Sequence, residues 1–129
     1  MPTRRHGLLG TVGLLAALAA VLAAVSVPAE EKPARPDLVR IVRLKLSAAD
    51  LASAEAWTED YKRDYGVDAV WLDARAWLAR GAWMLREYDR ALAFGREVRA
   101  AIPEPKPELL IPLGASLEVE GQITAARQG

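Results

Sequence analysis

Apolar residues recur every three or four positions through most of the chain after residue 37, the spacing of helices that bury one face. Residues 38–46 fit both a strand and a helical stripe, and we favour a helix because a lone strand would have no partner. The predicted helices cover residues 38–46, 47–65, 68–86, 88–101 and a stretch from 108 or 112 to 127. The sequence therefore predicts an all-α fold of antiparallel helical hairpins.

Cap residues mark several of the predicted helix ends. Ser47 fits the N-cap of the second helix, with Asp50 three positions later as in a capping box. Gly66 fits the end of that helix, and Asp68 fits the N-cap of the third. Pro103 ends the fourth helix because proline cannot continue one.

The third helix carries an unusual number of tryptophans. Trp71, Trp77 and Trp83 are six residues apart, so they point in three directions about 120° from one another. A helix that is apolar on most sides packs on most sides, which predicts that this is the central helix. A stacking surface for bases or sugars is the alternative. We favour core packing because three directions do not make one platform.

An uncharged run of 21 residues, 7–27, follows Arg4 and Arg5 at the start of the chain. A basic start, an apolar run and the small-residue exit Val27-Pro28-Ala29 are typical of a secretory signal peptide cleaved after Ala29. The run is also long enough to span a bilayer, so an uncleaved membrane anchor is the alternative. Both predictions place the rest of the chain outside the cytoplasm, either periplasmic or secreted, or tethered to the cytoplasmic membrane. Because Arg4 and Arg5 are adjacent, the signal also resembles a twin-arginine export signal. We favour an ordinary secretory signal that happens to contain two arginines.

These patterns divide the chain into three parts. Residues 1–29 are the signal peptide or membrane anchor, and residues 30–37 form a charged, proline-bearing linker. Residues 38–129 are the helical domain, which ends with one helix lacking an antiparallel partner. That unpaired helix predicts a truncated domain, a homo-oligomer or dependence on another domain.

Composition narrows the possible functions. The predicted leader holds two of the 17 basic residues and none of the 17 acidic ones, so residues 30–129 carry a net charge of −2. This charge argues against nucleic-acid binding, which needs a basic surface. Cysteine is absent and the single histidine, His6, lies in the leader, which removes the common ligands of zinc, copper and haem and the usual partner of a nucleophilic serine. We therefore predict no enzyme activity, catalytic residue, cofactor or metal.

The second predicted helix carries an acidic cluster that is a candidate chemical site. Paired carboxylates can act as acid and base or bind a hard cation. A solvated helix face is favoured because Lys62 and Arg63 are interleaved with the acidic residues. The cluster comprises Glu55, Glu59, Asp60 and Asp64.

The third and fourth helices resemble a tetratricopeptide repeat, a helix–turn–helix unit with small and large residues at fixed positions. Leu78-Ala79 matches its Leu-small pair, Tyr88 and Ala91 match the start of its second helix, and Pro103 matches its terminal proline. Three positions depart from the repeat, namely Arg75, Ala82 and Arg86, the last standing where the repeat has its inter-helix glycine.

Most of the helical domain also resembles the N-terminal region of bacterial exported thioredoxin-like (redoxin) proteins. The segments that carry this likeness are 51–56 (LASAEA), Tyr61, 65–67 (YGV), 77–82 (WLARGA), 88–91 (YDRA), 113–115 (LGA) and 118–119 (EV). The resemblance implies a helical region that positions a thiol-disulfide module or docks its clients. It transfers no catalytic residue, because the redox domain is absent from this sequence.

These observations predict a non-enzymatic, exported protein–protein interaction domain. The expected binding surface is a groove between the second, third and fifth helices, with Trp57, Tyr61 and Arg80 near it. The partner is another protein, for which the resemblance suggests a thioredoxin-like domain. One alternative is the accessory region of a thioredoxin-like oxidoreductase, and a second is a membrane-tethered structural protein held by residues 7–27.

Overall fold

The computed structural model describes residues 34–128. The predicted signal peptide or anchor (1–29) and residues 30–33 of the predicted linker lie outside the described residues. Residues 34–37 precede the first helix and have no regular secondary structure.

The described residues fold into five α-helices, which confirms the all-α prediction. No strand occurs within residues 34–128, and none of the helices there is both long and apolar enough to cross a membrane. A 3₁₀ turn, Pro107–Leu109, precedes the last helix. Pro112 is tolerated in the first turn of that helix because backbone N–H groups there have no acceptor within the helix, so a missing one breaks no helical hydrogen bond. The helices are α1 (Leu38–Ser47), α2 (Leu51–Tyr65), α3 (Ala69–Met84), α4 (Tyr88–Ala100) and α5 (Leu110–Gln128).

The prediction that Ser47 caps the second helix is wrong. Ser47 is the last residue of α1, and its hydroxyl donates a 2.9 Å hydrogen bond to the carbonyl oxygen of Arg43. Asp50 caps α2 instead, because its carboxylate accepts a 3.0 Å bond from the backbone N–H of Ser53. The next helix begins only at Leu51, since the backbone N–H groups of residues 48–50 all bond back to α1.

The predicted boundary between α2 and α3 is confirmed. Gly66 ends α2 with φ +83°, a conformation that side chains with a Cβ rarely adopt. Asp68 then caps α3 by accepting a 2.9 Å bond from the backbone N–H of Trp71. Its second carboxylate oxygen accepts a 2.7 Å bond from the hydroxyl of Tyr61, which ties α2 to the start of α3.

The α1–α2 and α3–α4 connections use the same turn. Ala49 and Arg86 adopt φ +57° and +63°, in the left-handed region where glycine is usual. In both turns the backbone N–H of the following residue donates to the carbonyl oxygen five residues earlier. The N–H of Asp50 bonds to the oxygen of Lys45 at 2.9 Å, and the N–H of Glu87 bonds to that of Ala82 at 2.8 Å. This is the Schellman arrangement that satisfies the last carbonyl groups of a helix.

The third helix is the centre of the fold, as predicted. It packs against each of the other four helices, whereas α1 and α2 pack on each other and α4 packs on α5. Trp71 is buried in it, with its indole N–H donating a 3.0 Å bond to the carbonyl oxygen of Thr58. Core packing is thus confirmed for Trp71, while Trp77 and Trp83 are partly buried at the edge of the core.

Contacts between named residues give the helix directions. Tyr61 late in α2 meets Asp68 before α3, and Arg75 early in α3 meets Glu97 late in α4. Asp89 at the start of α4 pairs with the last turn of α5, where Arg127 lies 2.6 Å away. Successive helices from α2 to α5 therefore run in opposite directions.

A charged residue lies inside the core of this small domain. Arg75 of α3 is only 4% exposed and is ion-paired with Glu59 of α2 and with Glu97 of α4, whose Oε1 lies 2.8 Å from its Nε. Its guanidinium also lies over the rings of Trp71 and Phe94 at 5.1 and 5.4 Å. The contact with Glu97 lacks hydrogen-bond geometry and Nη1 has no acceptor within residues 34–128, so Arg75 is paired in charge but incompletely hydrogen-bonded in this part of the chain.

Candidate functional site

The face built by α1, α3 and α5 contains three hollows that share Arg80. One of them, of about 360 Å³, lies between the C-terminal halves of α1 and α3. We call it the Arg–Trp hollow, and its lining residues are Arg43, Leu46, Ser47, Trp77, Arg80, Gly81, Met84 and Leu85. Smaller hollows beside it are walled by α5 and share Arg80 as a lining residue.

Three side chains form the centre of this hollow. The guanidinium of Arg43, on α1, lies 4.6 Å from the centre of the Trp77 ring, and that of Arg80 lies 5.4 Å from it. Both contacts are cation–π interactions, in which the ring holds the cations in place without neutralising them. Arg43 and Arg80 therefore present two oriented positive charges beside one aromatic ring.

The two arginines differ in their acidic neighbours. Arg80 makes one ion pair, at 3.4 Å, with Glu118 on α5, and both side chains are more than a third exposed. Within residues 34–128, no carboxylate oxygen lies within 4.0 Å of the Arg43 guanidinium. Arg80 thus has one long, solvent-exposed ion pair, and Arg43 has none within residues 34–128.

Asp73 lies one turn before Trp77 on α3, at the other end of the same face. Burial raises the pKa of its carboxyl above the ordinary value of 3.8, and the positive charges of Arg80 and Arg43 oppose that shift without cancelling it. Its ionised form is therefore under-solvated. The same face therefore also carries two carboxylates, Asp73 beside both arginines and Glu118 beside Arg80.

A close approach of two helices forms the floor of the hollow. A Cβ on Gly81 would lie only 2.4 Å from a terminal methyl carbon of Leu46, so the glycine lets α1 rest directly on α3. The rim is apolar and accessible, since Met84 is 74% exposed and Leu85 is 37% exposed. Ile111, which lines the neighbouring hollow from α5, is 75% exposed.

The structure brings one of the three predicted site residues to this face. Arg80 lines the Arg–Trp hollow, where the flanking helix is α1. Tyr61 is 2% exposed and packs in the core, and Trp57 lies 39% exposed on α2. Neither of them lines the hollow, and α2 and α5 do not pack against each other among the described helices.

Sequence reasoning missed Arg43, Trp77 and Met84 as site residues. Trp77 was assigned to the core with the other tryptophans, and it is indeed partly buried there. Arg43 lies on the polar side of α1, where nothing in the pattern distinguishes it from Arg40. Their meeting depends on how α1 crosses α3, which local spacing does not encode.

Each acidic residue of the predicted acidic cluster on α2 pairs with an arginine. Glu59 pairs with the buried Arg75, and Glu55 pairs at 3.0 Å with Arg90 of α4. Asp60 and Asp64 pair with Arg63, both at 3.2 Å. No group of three or more histidine, cysteine or carboxylate side chains within residues 34–128 is arranged to hold a metal ion. Glu55 and Glu59 therefore join α2 to the neighbouring helices, whereas Asp60 and Asp64 pair within α2.

No protein-family model, no curated protein and no solved structure matches this chain.

Proposed function

We propose that this chain is a non-enzymatic, exported protein–protein interaction domain that binds its partner on the α1–α3–α5 face. The observation that carries the proposal is the Arg–Trp hollow, where two arginines flank a tryptophan beneath an exposed apolar rim. Tryptophan and arginine are the residue types that most often dominate binding energy at protein interfaces.

The exposed apolar side chains around the hollow support this proposal. Met84 and Ile111 each expose about three quarters of their surface on the same face. Burying such side chains against a partner contributes about 25 cal/mol per Å² of apolar area. Polar side chains lie beside this apolar rim, as in a protein-binding patch, namely Ser47 on α1 and Glu118 and Gln122 on α5.

We further propose that the helices form hairpins of the tetratricopeptide type. Leu78, Ala79 and Ala91, which carry that resemblance, are all fully buried at helix contacts. Arg86 departs from the repeat's glycine in identity but adopts the left-handed conformation for which glycine is suited. The same turn at Ala49 supports a second unit of this kind in α1 and α2.

Site-specific crosslinking in the protein's own cells tests the proposed surface. A photoreactive amino acid would replace Met84 in one variant of the full chain and Ala93, exposed on the outer side of α4, in a matched control. We expect a defined crosslinked protein from position 84 and none from position 93. Equal products at both positions, or none at 84, would contradict binding on this face. A crosslinked protein with a thioredoxin-like domain would favour the accessory role.

The exported location is tested by the intact mass of the native protein. A mass matching residues 30–129 would establish cleavage after Ala29. A product that retains residues 1–29 and resists carbonate extraction from membranes would establish the tethered form instead. A product that retains them and stays in the cytoplasmic fraction would contradict export.

A further inference from the structure

We propose that the Arg–Trp hollow binds a partner segment through one acidic side chain, Asp or Glu, next to an apolar side chain. This inference rests on the proposed function and specifies the partner chemistry for that site. The carboxylate would lie between the guanidiniums of Arg43 and Arg80, and the apolar side chain would lie on Leu46 and under Met84.

The lining of the hollow is positively charged. Its lining contains two guanidinium groups and no carboxylate. Arg43 has no ion-pair partner within residues 34–128, and Arg80 has a single, solvated one. A carboxylate that binds there would form charge-assisted hydrogen bonds, which are about twice as strong as neutral ones. Trp77 holds both cations at the hollow before any ligand arrives.

The charges outside the hollow limit what the acidic ligand can be. Asp73 shares a neighbouring hollow with both arginines, and Glu118 shares another with Arg80. A polyanion such as nucleic acid or an anionic lipid surface would bring negative charge against both carboxylates. A single acidic side chain in the Arg–Trp hollow would meet a lining that contains no carboxylate. The two carboxylates beside the hollow therefore favour a peptide with an isolated acidic side chain.

The volume and walls of the hollow account for the apolar half of the ligand. A hollow of about 360 Å³ is near the lower limit of small-ligand sites and accommodates one or two side chains. Leu46, Met84 and Leu85 supply apolar walls around it. An apolar side chain adjacent to the carboxylate would cover Met84, which is otherwise 74% exposed.

The test begins with a random peptide display library selected on the full chain. We expect the enriched peptides to share one Asp or Glu next to an apolar residue. Fluorescence anisotropy with an enriched peptide then measures the effect of single changes. Changing the peptide carboxylate to its amide, or Arg43→Gln in the protein, should each weaken binding about tenfold, since each removes a charge-assisted hydrogen bond.

Two further variants separate this inference from a general loss of structure. Glu118→Gln frees Arg80 and removes a nearby negative charge, so it should tighten binding about threefold. Arg96→Gln, on the exposed side of α4 with no ion pair among the described residues, is the matched control and should leave binding unchanged. Circular dichroism verifies that each variant keeps its helices.

Each outcome decides something different. Peptides that bind on Met84 and Trp77 without a carboxylate, unaffected by Arg43→Gln, would overturn the acidic specificity and leave the proposed interaction surface standing. Peptides whose binding is insensitive to Trp77→Ala would overturn both. An absence of enriched peptides would also count against both. Arginine-dependent binding to phosphatidylglycerol vesicles, stronger than to any peptide, would replace the peptide with a membrane surface.

Discussion

The two halves, the helix pairs α1–α2 and α3–α4, share the same turn conformation but differ in the residue type at one equivalent buried position. Their turns superimpose in conformation at Ala49 and Arg86, which lie 37 residues apart. The same offset carries Leu38 onto Arg75, and both positions are buried. Leu38 contributes an apolar side chain to the core, whereas Arg75 needs carboxylates from two helices. The two positions are buried because they occupy equivalent places in the two helix pairs. The side chains that surround each position determine whether an apolar or a charged residue can be buried there.

The neighbours explain why a charge is tolerated in the second half alone. Arg75 lies on the central helix, between Glu59 on α2 and Glu97 on α4. Leu38 begins the first helix of the described domain and is fully buried in the apolar core. Among the described helices α1 packs on α2 and α3, and Leu38 lies there within the cluster of buried apolar side chains.

The largest expected effect comes from removing the buried arginine. Arg75→Ala should lower the free energy of unfolding by about 3 kcal/mol, since it leaves two carboxylates without their partner and a cavity beside Trp71. Urea denaturation measures the change. Arg75→Leu, which makes the second half resemble the first, should cost about 1 kcal/mol or less because an apolar side chain can replace an incompletely hydrogen-bonded charge. Equal losses for both variants would contradict this account of the position.

The second prediction concerns the turn that differs from the other two. Gly66 joins α2 to α3 at φ +83° and ψ −170°, a region accessible almost only to glycine. Gly66→Ala should therefore destabilise the protein by about 1–3 kcal/mol, although a Cβ there would meet no atom within 4 Å. Gly121→Ala, in open space on α5, is the control and should not destabilise, because alanine favours the helix. A neutral Gly66→Ala would show that backbone strain at this turn is small.

The third prediction uses the two matching turns. Ala49→Gly and Arg86→Gly should each raise the free energy of unfolding by about 0.5 kcal/mol, because glycine relieves left-handed strain but adds entropy to the unfolded chain. Since the turns have the same conformation, the two gains should be similar and should add in the double variant. Thermal unfolding of the single and double variants measures them. A gain at one turn and a loss at the other would show that the turns differ energetically.

The smallest expected effect is a pH dependence of stability at Asp73. The 37-residue offset carries Asp73 onto Pro36, so the first half has no acidic residue at the equivalent position. Burial raises its pKa in the folded protein above 3.8, so the ionised carboxylate reduces stability at neutral pH. Asp73→Asn should therefore be the more stable protein at pH 7. Its advantage should shrink as pH falls through the raised pKa and should vanish below the unfolded pKa, where the aspartic acid is protonated. An advantage that stays constant with pH would contradict a role for ionisation.

Most of the helices could be predicted from the sequence because their signals are local. The spacing of apolar residues depends only on the helical repeat, and Gly66 and Asp68 mark a boundary through their own backbone and side-chain chemistry. Ser47 shows the limit of such signals. Serine and aspartate are both good caps, and the choice between Ser47 and Asp50 was made by a turn that closes on α1.

The candidate site was predictable only in part. Arg80 was expected near the binding groove, and it lines the Arg–Trp hollow. Its partners Arg43 and Trp77 come from a crossing of two helices in which Gly81 admits Leu46, a contact that involves residues far apart in the chain. Tyr61 was expected near the groove, yet its hydroxyl bonds to Asp68 in the core.

The sequence by itself determined the helical class, several helix ends and the central place of the tryptophan-rich helix, because these follow from local spacing and backbone preference. Tertiary structure alone decided that Arg75 is buried, that Arg43 and Arg80 meet at Trp77, and which residue caps α2. The physical reason is that burial and charge pairing depend on which faces of separate helices come together. That arrangement is a property of the packed chain as a whole.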